Sequence, residues 1–374
     1  MRVLDRYIVK SFLSNYLLSL GVLISLYVSL DLFVNFDEFT EGGQRAHVVL
    51  RNITSYYLYN LPLYFSQISG VITLFAACGT LVRLHRQNEI TAVLASGTSL
   101  YRLATPLVMA GFLTNILVVV DHEVLLPSVA PKLARSRDDV AGERVYDIWC
   151  IRDGENRLLS AMMFAPKQQK IRNLIVMELS ENPMTPGRLE SVITADKAAW
   201  NADEGGWMLE RGMRLRVAEH GGAGISRSSN IEYDPLDFYA STLPPDELLF
   251  RQTAQWMRFL SIKQLDELEQ RQAADQRTLA QIKHGRFTLP INNMILLMIG
   301  LTFFLHRVPG SILNQGAKAL GVCAVVFILS FVGQQMVGAG VSGTTSAFLQ
   351  ALPAWMPILV FGPVTVVMLD SVKT

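Results

Sequence analysis

The stretch ALGVCAVVFILSFVGQQMVGAGVSGTTSAFLQALPAWMPILVFGPVTVVML, residues 319–369, decides the fold because it carries no charged side chain. A helix that crosses a membrane needs about 20 mostly apolar residues. The stretch is therefore long enough for two such helices. Residues 338–346 between them are rich in glycine and serine, which is typical of a turn. This part of the chain is predicted to form a pair of membrane-spanning helices.

Four further uncharged runs are each long enough for one spanning helix, and they cover residues 11–30, 53–82, 103–120 and 287–305. Charged residues make up only 17% of the chain, well below the roughly 25% that is usual for soluble domains. A buried helix of a soluble protein could account for one such run, but not for six spans. The sequence predicts an α-helical integral membrane protein with six transmembrane helices.

The basic residues of the short loops predict the orientation. If six spans alternate, all of these residues fall on one side, and an excess of Lys and Arg marks the cytoplasmic side. Both termini are therefore expected in the cytoplasm, with residues 1–10 as an amphipathic lead-in on that face. The apolar run after residue 10 is too long for a cleaved signal peptide. The basic residues are Arg2, Arg6, Lys10, Arg83, Arg86, Arg102, Arg307, Lys318 and Lys373.

The long loop between spans 3 and 4 is predicted to form a periplasmic all-β domain. Alternating apolar and polar residues occur in five segments separated by turn-forming residues, which indicates a β-sandwich or a jelly roll. We assign this jelly-roll-like domain to residues 126–250, after spans 1–3 in residues 11–125. The predicted strands are residues 144–151, 156–165, 172–180, 188–200 and 206–217.

A helical connector is predicted for residues 251–286, before spans 4–6 in residues 287–374. Residues 261–285 are rich in helix formers, with Ser261 as the N-cap and Gly285 just past the end. The preceding segment PPDELLF, residues 244–250, is interpreted as a hinge.

No motif indicates an enzyme, a bound nucleotide or a nucleic-acid partner. The sequence lacks G-x-x-x-x-G-K-[ST], H-E-x-x-H and G-x-S-x-G, and its three cysteines have no metal-site spacing. The consecutive residues Asp121, His122 and Glu123 point about 100° apart on a helix, so we expect a solvated helix end there. Asp31 lies near the outer end of span 1, where it is either a functional intramembrane carboxylate or partly solvated.

The segment RLHRQNEITAVLASG, residues 83–97, is a polar interruption between spans 2 and 3. Asn88 is predicted to cap a helix at residues 88–96, with Glu89 in its first turn and Gly97 as its stop. Such a short helix is unstable alone in water, so its apolar face needs a partner. The partner is either the membrane surface or a groove in a cytoplasmic protein. The apolar face consists of Ile90, Val93 and Leu94.

The chain resembles the LptF/LptG (YjgP/YjgQ) family of permeases of the lipopolysaccharide export ABC transporter. The most specific match is NEITAVLASG, and the similarity covers essentially the full length. Further matching segments are LDRYIVKSFLSNYLLSL, DLFVNFDEF, VLLPSVAPKLARSRDD, ITADKAAWNADEGGWMLERG, LPINNMILLMIGLTFFL and WMPILVFGPV.

The resemblance implies a half-permease that pairs with a second LptF/LptG-like permease. A dimeric cytoplasmic ABC ATPase, LptB-like, would dock on the coupling helices and use the ATP, while this chain would bind no cofactor. Lipopolysaccharide or a related glycolipid would leave the inner membrane and pass through the jelly rolls to an LptC/LptA-like periplasmic bridge. The residues implied to couple to the ATPase are Glu89, Arg83, Arg86, Ile90, Val93 and Leu94.

Two groups of residues are expected along the lipid path. The outer end of span 1 is acidic here, where some family members carry basic residues. Either the nearby arginines substitute for those charges, or the partner subunit supplies them, or the cargo is less anionic. The first group is Asp31, Phe33, Phe36, Arg45 and Arg51. The second group, inside the jelly roll, is Val145, Ile148, Leu174, Val176 and Met208.

Two other functions stay open at this point. The chain could be an ATPase-coupled mechanotransmitter or scaffold that does not itself move lipid, or a membrane-bound enzyme built on the loop domain. The interior of the β domain distinguishes them. An apolar interior open at one side is expected of a conduit, a plugged interior of a scaffold, and converging polar residues of an enzyme.

Overall fold

The structure is a computed structural model that describes residues 3–40, 45–133, 145–154, 156–180, 188–217, 231–252, 256–270, 276–305, 312–336 and 347–370. The turn predicted at residues 338–346 lies outside these ranges, as do Arg2, Arg307 and Lys373. The chain forms two compact units. The helical unit comprises Met1–Phe36, Asn60–Pro127 and Arg277–Thr374, and the β unit comprises Asp37–Tyr59 and Ser128–Gln276.

Six helices in the described ranges are long and apolar enough to cross a membrane, which confirms the prediction of six spans. The helices that contain these spans are α1 (Val3–Val34), α3 (Ala46–Arg86), α5 (Leu100–Val120), α9 (Gln276–Phe304), α10 (Ile312–Met336) and α11 (Ala347–Asp370). Shorter helices are α2 (Phe36–Thr40), α4 (Glu89–Ala95), α6 (Leu126–Leu133), α7 (Pro245–Gln252) and α8 (Ile262–Gln270).

Two helices run past the boundaries that the sequence suggests. α1 begins at Val3, so residues 3–10 of the segment predicted as a separate lead-in form its first turns. α9 begins at Gln276 and continues through Gly285, so the prediction that Gly285 ends the connector helix is wrong. Backbone groups of a membrane helix must be satisfied within the helix, and this favours continuation through such positions.

Helix α9 packs closely against α3 and α5 because glycines lie at the crossing points. A Cβ atom added at Gly70 would clash with Asn293, and one added at Gly111 would clash with another α9 side chain. Small residues of this kind let membrane helices approach one another. Nearby, the Asn293 Nδ2 donates hydrogen bonds to Ser69 Oγ (3.0 Å) and Asn115 Oδ1 (3.1 Å). These bonds satisfy polar groups that are costly in an apolar interior.

The described strands form one antiparallel sheet, which confirms an all-β domain inserted between the third and fourth spans. The strands are β1 (Tyr146–Asp153), β2 (Arg157–Ala165), β3 (Lys170–Leu179), β4 (Leu189–Asn201), β5 (Gly206–Glu210), β6 (Met213–Val217), β7 (Ile231–Pro235) and β8 (Phe238–Ala240). All five predicted segments are strands, while β7 and β8 were not predicted. A helix, α6, precedes the first strand in the range assigned to the β domain.

Strand β4 pairs with two strands in one continuous register. Thr194 pairs with Met213 of β6, and Lys197 pairs with Glu210 of β5. The two short strands are therefore halves of one partner for β4, interrupted at Arg211, whose φ of 54° is left-handed. The sheet order is β1-β2-β3-β4-β5-β8, with β6 between β4 and β7.

Helix α7 packs on the sheet, and the segment predicted as a hinge forms most of this helix. Leu248 and Leu249 of α7 belong to the same buried core as Leu174 of β3. After α7, helix α8 begins as predicted with Ser261. The Ser261 N–H donates to Gln264 Oε1 (2.9 Å), and the Gln264 N–H donates to Ser261 Oγ (3.3 Å). This reciprocal pair is a capping box, which confirms the predicted N-cap.

Candidate coupling and lipid-path sites

The start of α4 differs from the prediction. Asn88 has a left-handed backbone (φ 56°), and its side chain makes no capping hydrogen bond. Its N–H donates to His85 O (3.0 Å) in the last turn of α3, and its C=O accepts from the Ala92 N–H (3.1 Å) in the first turn of α4. Asparagine tolerates the left-handed region better than most residues. Asn88 therefore joins two helices through its backbone, rather than capping one through its amide.

The end of α4 agrees with the prediction for Gly97. Gly97 has a φ of 75°, and its N–H donates to Leu94 O (3.0 Å). The Thr98 N–H donates to Val93 O (3.3 Å). These two bonds form a Schellman motif, which needs a residue in the left-handed region just past the helix. The chain then turns into α5 at Leu100.

The apolar face of α4 packs on the helical unit itself. Ile90 is 3% exposed and lies in the core formed with α1, α3, α5 and α9. Leu94 is partly buried against the same core, and Val93 is half-buried. The prediction that this face needs a partner is confirmed for Ile90, whose partner is the core of the chain's own helical unit. Val93 and Leu94 keep part of their surface exposed, so their contact with an ATPase groove stays a prediction, whereas Ile90 has little surface left for such a contact.

Three side chains fasten the α4 region to other helices of the unit. The Tyr7 hydroxyl of α1 donates to Glu89 Oε1 (2.9 Å). His85 Nε2 lies 2.9 Å from the carbonyl oxygen of Phe304 at the end of α9, so this nitrogen must carry the proton. The Tyr101 hydroxyl donates to Leu369 O of α11 (2.8 Å). Sequence reasoning missed all three, since each contact joins residues far apart in the chain.

The outward surface of this region combines basic residues of α3 with small residues of α4. Arg83 and Arg86 are exposed at the end of α3, and Thr91, Ala92 and Ala95 are exposed on α4. Of the six residues implied to couple to an ATPase, the two arginines are fully available to a partner. Their role, like that of the half-buried Glu89, stays a prediction.

The outer end of α1 carries exposed aromatic residues beside a polar pair. Phe33 and Phe36 are exposed, and Asn35 Nδ2 donates to Asp31 O (2.7 Å) and to Asp31 Oδ1 (3.2 Å). Asp31 is half-buried and hydrogen-bonded. In the β unit, Arg45 is exposed, and so is Arg51 on α3. A contact with lipid stays a prediction for all of these residues.

The five residues expected inside the β domain do not share one interior. Ile148, Leu174 and Val176 are buried in one core. Val145 and Met208 are 48% and 44% exposed, so their placement in the interior is corrected. For Met208 the reason is strand alternation, because its neighbours in β5 face the core. The described core around these strands is filled, since Leu174, Val176 and the α7 residue Leu248 have no exposed surface.

The buried polar cluster of the β domain is a structural anchor. The Asp153 carboxylate at the end of β1 is 1% exposed. It accepts hydrogen bonds from Tyr239 Oη (2.7 Å), Ser241 Oγ (2.6 Å), Thr242 N (2.8 Å) and Thr242 Oγ1 (2.6 Å). Burial and the Asp153 charge raise the pKa of Tyr239. Because each carboxylate oxygen already accepts two hydrogen bonds, Asp153 fixes the position of residues 239–242 and is not free to act on a substrate.

The sequence Asp121-His122-Glu123 is not the solvated helix end that was expected. It lies in a π-helical turn, Asp121–Leu125. Asp121 is 1% exposed, and its carboxylate has no hydrogen-bond partner among the described residues. Arg286 of α9, which sequence reasoning missed, forms an ion pair with Glu123 (3.0 Å) and donates to His122 O (3.4 Å). In the described part of the chain, no group of His, Cys, Asp or Glu residues could hold a metal ion.

A comparison with known protein families finds a family whose sequence pattern this chain matches. Residues 6–370 match the sequence model of the family described as lipopolysaccharide export system permease LptF/LptG. The match spans every described helix that could cross a membrane, together with the β domain between them. No match was found among curated proteins.

Proposed function

Because the chain belongs to the LptF/LptG family of lipopolysaccharide export permeases, we propose that it is one half-permease of an ABC transporter. This transporter extracts lipopolysaccharide from the inner membrane and passes it through the β domain toward the outer membrane. The family is a transport family and not an enzyme family, and the chain is a multi-pass inner-membrane protein.

The proposed complex contains three further components. A second LptF/LptG-like permease completes the path, a dimeric LptB-like ATPase hydrolyses ATP in the cytoplasm, and an LptC/LptA-like bridge receives the lipid. This chain contributes no bound cofactor. The basic residues of the short loops support cytoplasmic termini and a periplasmic β domain.

The observation that carries the proposal is the attachment of α4. A helix that transmits force from an ATPase must be rigidly joined to the spans that move. α4 meets this requirement, because Ile90 is buried in the helical core and Tyr7, His85 and Tyr101 fasten the region to α1, α9 and α11. Its exposed side, with Thr91, Ala92 and Ala95 beside Arg83 and Arg86, is left open to a partner.

The packed interior of the β domain favours a second candidate, a mechanotransmitting or scaffolding protein that moves no lipid. Transport through this interior needs the core around Leu174 and Val176 to open. Exposing buried apolar groups costs about 0.8 kcal/mol per CH₂ unless acyl chains replace the lost contacts. The two candidates therefore differ in whether lipid enters the β domain during ATP hydrolysis.

The proposal is tested by co-purification of the detergent-solubilised chain from its native membrane. We expect a small ABC ATPase and a second six-span permease with the parent chain. Arg86→Glu should remove the ATPase and keep the permease. Lys318→Glu is the matched control, since Lys318 is also exposed and is predicted on the same face, but lies on α10. Recovery of the chain alone, or equal ATPase with both variants, would contradict the proposal.

A further inference from the structure

We propose that Tyr7 is a positioning residue that fixes the coupling helix α4 to α1, so that α1 follows α4 when a partner moves it. The use of this link in transport rests on the proposed function. The link itself rests on the geometry of the helical unit.

The hydrogen bond from Tyr7 joins the base of α1, by which we mean Val3–Asn15, to the first turn of α4. Its hydroxyl lies 2.9 Å from Glu89 Oε1 and 3.5 Å from Gln87 Oε1. Both acceptors belong to the junction between α3 and α4. A hydrogen bond to a carboxylate is stronger than one between neutral groups, and it fixes both side chains in direction.

Apolar packing supports the same link. Ile8 and Phe12, which follow Tyr7 on α1, have no exposed surface and share one buried core with Ile90 of α4. One turn further along α1, Asn15 Nδ2 donates to Thr80 Oγ1 of α3 (3.0 Å). The base of α1 is thus held to α3 and α4 by polar contacts at both ends and apolar contacts between them.

The remainder of α1 is much less enclosed. No residue of its most apolar window is buried. In this part, Leu20 and Leu23 lie partly buried against the core, and the Tyr27 ring contacts the Tyr64 ring of α3 (centroids 4.6 Å apart). Because the fully buried side chains of α1 lie in its first turns, we expect a movement of those turns to be passed on to the rest of the helix. The exposed apolar side chains beyond the base include Leu17, Leu18, Val22, Leu26 and Leu30.

This arrangement adds to the role expected of Glu89. One oxygen of its carboxylate accepts from α1, so Glu89 also acts through Tyr7 on the position of α1. A partner that lies against α4 also meets the exposed residues Thr91, Ala92 and Ala95. Substitution of Tyr7 should therefore separate ATP hydrolysis from movement of α1, although Tyr7 does not lie on the docking surface.

The link is tested in the full chain alone by spin labels at Lys10→Cys and Thr91→Cys, two exposed positions on α1 and α4. The three native cysteines are replaced by serine. We expect a narrow distance distribution in the parent and a broader one with Tyr7→Phe, which removes only the hydroxyl. Tyr59→Phe is the control, because it removes a hydroxyl that accepts a hydrogen bond from Lys132 Nζ (2.9 Å) within the β unit, and it should leave the distribution unchanged. Equal distributions for the parent and Tyr7→Phe would overturn the proposal.

The consequence for transport is measured in proteoliposomes that hold the chain with its co-purified partners. With Tyr7→Phe, the ATP hydrolysis rate should stay close to that of the parent. One lost hydrogen bond to a charged group shifts the equilibrium between linked and unlinked α1 about tenfold, so the lipopolysaccharide released per ATP should fall by up to that factor. A parallel fall in hydrolysis and release, or no fall in release, would overturn the proposal. If the parent moves no lipid, the proposed function fails, while the label distances still decide whether Tyr7 holds α1 to α4.

Discussion

Replacing Asp153 with asparagine should release the segment that leads into α7. The Asp153 carboxylate accepts four hydrogen bonds from Tyr239, Ser241 and Thr242. Asparagine keeps the shape of the side chain, but it loses the charge and turns an NH₂ group toward these donors. All four bonds then become neutral ones: the remaining oxygen can serve Thr242, and the hydroxyls of Tyr239 and Ser241 must turn to accept from the NH₂ group.

The expected cost follows from these bonds. A hydrogen bond to a charged group contributes roughly 1 kcal/mol more than one between neutral groups, so the loss of charge across these four bonds amounts to about 3 kcal/mol. Since 1.4 kcal/mol corresponds to a factor of ten, local opening should become about 100-fold more frequent. The effect should be greatest for the Thr242 amide, which itself donates to Asp153 (2.8 Å).

Amide hydrogen exchange of residues 239–252 in the full chain measures this opening. Asp153→Asn should exchange faster there and retain the parent rate in the helical unit. Asp203→Asn is the control, because Asp203 is exposed in the turn before β5. An unchanged rate at Thr242 in Asp153→Asn would refute the reasoning that this carboxylate anchors the segment.

Three further predictions concern the coupling region, the helix packing and a surface pair. Gly97→Ala places a Cβ at a φ of 75°, so it should destabilise the end of α4 by about 1 kcal/mol, measured as faster exchange of the Thr98 amide. Gly111→Val should lower the melting temperature in detergent through a loss of about 1–3 kcal/mol, because the added carbon atoms meet α9, whereas Gly21→Ala, which has nothing within 4 Å, should be neutral. The hydrogen bond and charge of Lys197 lower the pKa of Glu210, so Lys197→Met should raise that pKa in an NMR titration. Because the pKa of Glu210 is lower in the folded chain, its ionised carboxylate stabilises the fold at pH values above the pKa of the unfolded chain, and this stabilisation is lost as the pH falls. The parent should therefore lose more stability in acid than Lys197→Met.

The strands could be predicted from the sequence because a half-buried strand alternates apolar and polar residues. The break between β5 and β6 could not. Arg211 and Gly212 interrupt a segment whose alternation reads as one strand, and the break depends on a distant contact. The Leu236 N–H donates to Gly212 O (3.0 Å), and a Cβ at Gly212 would clash with the Leu236 backbone.

The length and stop of α4 could also be predicted, since both depend on local rules for glycine and for apolar spacing. The conformation of Asn88 depends instead on how α3 ends, which local capping preferences do not describe. The burial of Ile90 depends on α1, whose Ile8 and Phe12 lie far away in sequence. Periodicity shows that a face is apolar, but it does not identify the partner of that face.

Buried polar residues were the hardest part to predict. Asp121 and His122 were expected in solvent, because they follow an apolar run and are charged or polar. The structure buries Asp121 and the ring nitrogens of His122, and Arg286 of α9 forms an ion pair with the adjacent Glu123. Arg286 and Glu123 come together only because their helices pack side by side, so no spacing within the sequence could indicate this ion pair.

The central claim is that this chain carries lipopolysaccharide through its β domain when a partner hydrolyses ATP. The most direct measurement places a photocrosslinking residue at Leu174, inside the β domain, and another at the exposed Met208 in a matched variant. In proteoliposomes with the co-purified partners, the account predicts ATP-dependent crosslinking of lipopolysaccharide at Leu174 and little at Met208. ATP hydrolysis without lipid at Leu174 would contradict the account and support a mechanotransmitting protein that moves no lipid.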